Sequence, residues 1–182
     1  DGKLACELWL ELAELYDRYL GDAWRRHPED AAAWQKVAHI PDRELWQVRQ
    51  FRRHRLLEHT RFHLRHQFQR QGMPPAKVAR LLQGLDPEAL TIGFARRFAT
   101  YKRGSLIFHH LKRLESLFAD AQRPIQLFFG GKAHPHDHPG KELIREIVTL
   151  SRQEPFLGSV FFLEDYDMNV ARYMVQGCDV WL

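Results

Sequence analysis

Four cations crowd one short corner of this sequence. Arg96, Arg97, Lys102 and Arg103 follow the apolar run Leu90 to Ala95 in the stretch LTIGFARRFATYKRG. An arginine fork can hold two phosphate oxygens at once, and a lysine adds a point charge on a flexible stem. The apolar run reads as a buried strand, and a helix is expected to begin after the corner. The free N–H groups and dipole of that helix would add to the attraction for an anion. Thr91 or Thr100 would offer a hydroxyl, and Gly104 would keep the first helical turn slim. The corner is therefore expected to be a phosphate site; the competing reading is a surface turn of hydrated arginines.

Two further polar corners follow apolar runs. The first is Gly130, Gly131, Lys132, Ala133 and His134, where a glycine pair lets backbone approach a ligand closely. The spacing of a P-loop is absent. The second is Glu164, Asp165, Tyr166, Asp167 and Met168. Tyr166 would either flank an aromatic cofactor or plug the sheet edge, and Glu164 or Asp165 could act as an acid. His134, His136, His138 and Asp137 have the chemistry of zinc ligands. Neighbouring ligands on a proline-stiffened loop rarely converge on one ion, so no metal site is assigned. His59 and His63, one helical turn apart, lack the glutamate pattern of a metalloprotease helix.

The elements that position these corners alternate. Strands are expected at 89–95, 125–129, 160–163 and 180–182, and helices at 102–119, 141–151 and 169–175. The first of these helices would turn Leu106, Ile107, Leu111, Leu114 and Leu117 to the core. Such alternation predicts a parallel sheet with right-handed crossovers, whose ligands bind beyond the carboxyl ends of the strands. All three corners fall at those ends, so chain order alone gathers them on one rim. Upstream, helices are expected at 4–20 (Leu8, Leu12, Leu15, Tyr19), 42–71 and 73–84, with glycines at 21, 72 and 84 as stops. The fold class is α/β: a helical N-terminal segment, 1–84, leads into a truncated Rossmann-like parallel sheet, 85–182.

The long helix carries six arginines against a single glutamate between Phe51 and Gln71. That pattern suits a nucleic-acid face. The preferred reading is a solvated basic face, with Leu45, Val48, Leu56, Phe62, Leu64 and Phe68 packing on the other side.

Across 182 residues, 45% hydrophobic and 27% charged residues are those of a soluble globular protein. No apolar run approaches the ~18 residues of a membrane span. Glu7, Glu11 and Glu14 break up the stretch from Asp1 to Leu20, which is not expected to act as a signal peptide. Cys6 and Cys178 lie far apart, as expected in a reducing cytoplasm. The net charge of +4 permits anionic partners without requiring nucleic acid. Both ends read as cut, the last residues resembling the start of a buried strand.

Together the corners resemble the α-glucan (glycogen, starch and maltodextrin) phosphorylases, in their shorter bacterial branch. The likeness rests on Gly93-Phe-Ala-Arg-Arg-Phe-Ala-Thr-Tyr-Lys-Arg103, Gly130-Gly-Lys-Ala-His-Pro135 with Gly140-Lys141, and Phe162-Leu-Glu-Asp-Tyr-Asp-Met-Asn-Val-Ala171. It extends more loosely through Leu15 to Gly21 and the long helix. The resemblance implies a GT-B glycosyltransferase fold, with 1–84 linking its two domains and 85–182 opening the second. It also implies reversible phosphorolysis of α-1,4-glucans to glucose 1-phosphate, and pyridoxal 5′-phosphate as cofactor, its phosphate taking part in proton transfer. By motif, Arg97 would hold substrate phosphate, while Arg96 and Lys102 would steady the cofactor phosphate and its neighbour, Arg97 and Lys102 being the expected catalytic pair. Arg96 stands where many long-form relatives have lysine. Tyr166, Asp167 and Met168 would lie against the cofactor ring, and Gly131, Lys132, Ala133 and His134 would shape the pocket wall. The family's cofactor-binding lysine lies in a motif beyond the stretch matched here. The isolated chain is thus expected to carry no cofactor and to be inactive. Expected partners are inorganic phosphate and α-1,4-glucan, with a homodimer possible in principle and neither nucleic acid nor membrane involved. A nucleotide-sugar glycosyltransferase of the same fold class, its cations on a donor diphosphate, is the alternative.

Overall fold

A computed structural model describes residues 10–182; Cys6 and the expected helical start through Leu8 lie outside the described residues. The described residues fall into two compact units, divided between Phe51 and Arg52. In the first, helix α1 (Leu10–Leu20) ends at Gly21, whose φ of +73° suits glycine. Two single-turn helices and a 3₁₀ segment follow. Leu15, Leu20 and Ile40 form the small core, walled by Tyr16, Trp24 and Trp34 in edge-to-face and tilted contact.

Helix α2 (Asp42–Arg70) crosses the division in sequence, and Gly72 (φ +71°) closes it as expected. Its buried face is the expected one in part: Leu56 and Leu64 are buried and Phe68 packs beside them, but arginines share that face. Phe62 is 62% exposed, whereas Arg52 and Arg53 are buried at 6% and 5%. Arg52 donates to the Gln176 amide oxygen at 2.8 Å, and Arg61 donates to the Leu85 carbonyl. Arginine stems pack as hydrocarbon while their forks satisfy acceptors. With these arginines turned inward, the helix is no continuous basic face for nucleic acid.

Helix α3 (Pro75–Gln83) leads to strand β1 (Leu90–Ala95). Strands β2 (Ile125–Gly130), β3 (Val160–Leu163) and β4 (Val180–Trp181) complete a four-stranded, wholly parallel sheet of order β3-β2-β1-β4. This is the Rossmann-like arrangement the alternation predicts. The chain steps outward from β1 to β3 and then returns to the far side of β1. The crevice between β1 and β4 is therefore the topological switch point, where such sheets bind ligands.

Alternation along the strands sorts the core into two layers. Phe128, Phe161 and Leu163 face Leu56, Leu57 and Leu64 of α2, together with Val170 and Met174 of a later helix, α6 (Met168–Gly177). Leu127, Phe129, Val160 and Phe162 face Phe108, Leu114 and Ile147 on the other side. There the helices are α4 (Leu111–Phe118) and α5 (His138–Leu150). Val180 and Trp181, expected to be buried, are each 40% exposed, since β4 pairs on one side only.

The helix expected at 102–119 is the clearest departure. Two 3₁₀ turns, Thr100–Lys102 and Leu106–Phe108, occupy its first half, and α4 begins only at Leu111. Arg103 sits in the left-handed region at φ +54°, which ends the first turn. A Cβ on Gly104 would lie 3.0 Å from the Phe98 ring and 3.3 Å from that of Phe94. The chain thus runs close over two aromatic rings instead of winding outward. Leu106, Leu111 and Leu117 are exposed as a result, and Leu114 alone of the five expected core residues is fully buried.

Candidate functional site

Ala95, Gly130 and Leu163 stand in register across β1, β2 and β3, so the next residues, Arg96, Gly131 and Glu164, leave the sheet side by side. The first two loops stay paired beyond the strands. Arg96 N–H donates to the Gly130 carbonyl at 3.2 Å, and Phe98 N–H to that of Lys132 at 3.0 Å. Phe98 and Ala133 form a last parallel bridge, and the Phe98 ring is 1% exposed. Arg97 is thereby flanked by two residues whose backbones are tied to the glycine loop, while its own side chain is exposed.

Gly131 has φ +143°, and a Cβ there would stand 2.0 Å from the Arg96 carbonyl oxygen. Only glycine lets the two loops pass this closely. Gly131→Ala should therefore push the first two corners apart and lower the unfolding temperature by several degrees, as a strained position costs about 1–3 kcal/mol. A thermal melt unchanged by the substitution would show that the loops yield freely.

The third corner is anchored from α2. The Gln67 amide, 4% exposed, donates to the Phe162 carbonyl at 3.0 Å and accepts from Glu164 N–H at 3.0 Å. It stands in for a neighbouring strand at the open edge of β3. His63 Nε2 lies 2.8 Å from the Glu164 carbonyl, Gln71 donates to the Glu164 carboxylate, and Arg70 pairs with Asp165 at 2.8 Å. Asp165, at φ +52°, then turns the chain back. Tyr166 consequently lies over Gly130, where an added Cβ would be 2.8 Å from its ring. Burial pushes the Tyr166 hydroxyl above its usual range.

The expected residues divide. Arg96, Gly131 and Lys132 are adjacent through backbone hydrogen bonds, and Tyr166 joins them over Gly130. Arg96, Arg97 and Lys132 are exposed, and none forms an ion pair among the described residues. Lys102 ends the 3₁₀ turn with its ammonium 4.9 Å from the Tyr101 ring centre. Asp167 instead caps α6, accepting from Val170 N–H at 2.8 Å, and Met168 is 76% exposed. His134 accepts locally from His136 N–H, and no group of metal-ligating residues occurs among the described residues. Thr91 lies at the opposite end of β1, its hydroxyl bonded to the Ala89 carbonyl. The expected helix dipole is absent too, because a three-residue 3₁₀ turn follows the cations. What remains for an anion is side-chain charge.

Gln67 escaped the sequence reading, which takes His63 and Arg70 only as part of a histidine pair and a basic face, although the spacing places all three on one face of α2. His59 belongs to the same face. Its ring stacks on Tyr173 with centres 4.0 Å apart, and its Nδ1 is buried without a hydrogen-bond partner. Burial first, then His63, lowers its pKa below 6.5, against a smaller opposing pull from Asp167. The folded state disfavours the proton, so stability is complete above pH 6.5 and declines as pH falls below it. His59→Phe, which keeps the stack, should lose less stability than the natural chain on acidification to about pH 5. Parallel pH profiles of the two unfolding midpoints would rule this out.

No protein-family model matches the chain. It is 41% identical over 176 residues to the maltodextrin phosphorylase of Thermococcus litoralis, covering 96% of this chain and 21% of that protein. The glycogen phosphorylase of Aquifex aeolicus is 39% identical over 172 residues, covering 94% of this chain and 25% of its own length. That of Mycobacterium bovis is also 39% identical, covering 98% of this chain and 20% of its own length. The chain belongs to the α-glucan phosphorylase family, as one segment of it. It spans a fifth to a quarter of these phosphorylases. The alignments run through nearly all of this chain, so the helices before the sheet belong to the likeness as much as the three corners. Among the described residues no helix is long and apolar enough to cross a membrane.

Proposed function

We propose that this chain supplies the anion-binding rim of a protein that phosphorolyses α-1,4-glucans reversibly, releasing glucose 1-phosphate. The observation that carries the reading is the corner itself. Among the described residues Arg96, Arg97 and Lys132 stand without ion-pair partners, on loops held together at the carboxyl ends of parallel strands. Uncompensated cations at such a place attract an oxyanion, and two of them are arginines able to grip it with paired donors. The identity to glycogen and maltodextrin phosphorylases supports phosphate and glucan as the substrates.

The residues present also suit a phosphate-bearing aromatic cofactor, pyridoxal 5′-phosphate. The donor set is cationic, and Tyr166 over Gly130 offers an aromatic flank beside it. When bound, that group would supply a phosphate able to exchange a proton with the substrate phosphate. Arg96 and Lys102 would hold the cofactor phosphate and Arg97 the substrate phosphate; Tyr166, with Asp167 and Met168, would border the ring. Lys132, Ala133 and His134 would wall the pocket, which Gly131 keeps open to backbone approach. Side chains that hold two neighbouring anions offset their repulsion, and no group on this chain needs to act as a nucleophile. Residues 1–84 serve as the helical link and 85–182 as the start of the second Rossmann-like domain. The parent protein is a cytoplasmic glycosyltransferase, and this chain alone does not turn over.

The test is made in the complete polypeptide. Inorganic phosphate and maltodextrin should yield glucose 1-phosphate, and the protein should show pyridoxal absorbance. Turnover of a nucleotide sugar in place of phosphate, without that absorbance, would assign the rim to a donor diphosphate and overturn the reading.

A further inference from the structure

A cavity lies beside the third corner, at the open edge of β3. It measures about 370 Å³ and is formed within the unit 52–182 by α2, α3, the end of α5 and the edge strand. That volume is in the range of small-ligand sites. Its walls are apolar, from Phe68, Leu81, Val148 and Leu157, and its charged groups are Lys77, Arg152 and Glu164, the last neutralised in part by Arg70 at 3.6 Å.

The floor of this cleft is strand backbone with a defined polarity. β3 is the edge of the sheet, so alternate residues turn their peptide groups away from β2. Gln67 identifies which ones: it bonds the Phe162 carbonyl and the Glu164 N–H. Ser159, with its carbonyl bonded to Leu127 N–H, faces β2. The Phe162 N–H and the Val160 carbonyl therefore point outward, beside the pair Gln67 has taken, and Val160 and Phe162 line the cavity. Val160 N–H is already spent on the Phe156 carbonyl. An acceptor and a donor two residues apart on a strand edge suit a planar ring whose adjacent N–H and C=O lie on the same side.

We propose that this cleft binds a planar cyclic amide, a lactam or ureide, carrying a negative charge. Its N–H donates to the Val160 carbonyl and its C=O accepts from Phe162 N–H. The ring lies between apolar walls, and its charge is met by Lys77 and Arg152. The site is separate from the anion rim and does not rest on the phosphorolysis reading. Glu164 touches both, lining the cleft and beginning the third corner.

Orotate is a suitable probe, being a planar ureide with a carboxylate. Titrated into the isotopically labelled chain, it should give a saturable shift of the Phe162 amide resonance at millimolar concentration or below. Lys77→Glu, on the exposed face of α3, should weaken orotate several-fold and leave uracil unchanged. The N,N′-dimethyl analogue, without donors, should bind at least tenfold more weakly. No saturable shift at Phe162, or equal binding of orotate and its dimethyl analogue, would overturn the proposal.

Discussion

Replacing Arg97 by alanine in the complete polypeptide should lower the rate of phosphorolysis by roughly 10²–10³-fold, the loss seen when one preorganised donor to a developing charge is removed. The expectation follows from what Arg97 lacks. It is exposed, forms no ion pair among the described residues, and contributes to no core cluster. Its removal therefore costs little stability, and the backbone around it stays fixed by Arg96 and Phe98. The melting temperature and the pyridoxal absorbance should be nearly unchanged while turnover collapses. Alanine at Arg113, an exposed arginine on α4, is the control and should leave turnover within about twofold. Equal rates for the Arg97 variant and the natural protein would remove Arg97 from the site.

Much of this arrangement was legible in the residue pattern. The strands at 90–95, 125–130 and 160–163 are short apolar runs ended by glycine or charge, and a buried parallel strand has no other simple sequence form. Their order, with helices between them, required the three corners to share a rim. Two things were not legible. The region 102–119 has enough leucines at helical spacing to mimic an amphipathic helix. The close passage of Gly104 over Phe98 and Phe94 decides otherwise, and that is a tertiary contact. On α2 the periodicity marked Leu56 and Leu64 correctly but missed that Arg52 and Arg53 are buried and Phe62 is not. A rule that sends arginine to solvent fails where carbonyls and a carboxylate await its fork. The same limit hid Gln67, whose amide completes the edge of a strand some ninety-five residues away.

The buried arginines carry the largest stability effect expected of any single change. Arg53 pairs with Asp179 at 2.6 Å, the two side chains being 6% and 13% exposed, and donates to the Pro87 carbonyl at 2.8 Å. Asp179 is a junction: its second carboxylate oxygen accepts from Thr91 N–H at 2.8 Å, and its own N–H donates to the Thr91 carbonyl at 2.7 Å. It therefore sets the register of β4 against β1, and with it the crevice where the sheet reverses direction. Asp179→Ala would leave a guanidinium buried without its carboxylate, at a cost of about 3–5 kcal/mol. For a unit of this size that is a fall in melting temperature on the order of 10 °C or more. The sign of a second change separates charge from packing. Adding Arg53→Met to Asp179→Ala removes the stranded charge, so the double variant should be more stable than the single one. A double variant no better than the single would mean that the strand register, and not the paired charge, is what Asp179 protects. A single variant within about 1 kcal/mol of the natural chain would mean that water reaches the pair, which would then contribute as little as an exposed one.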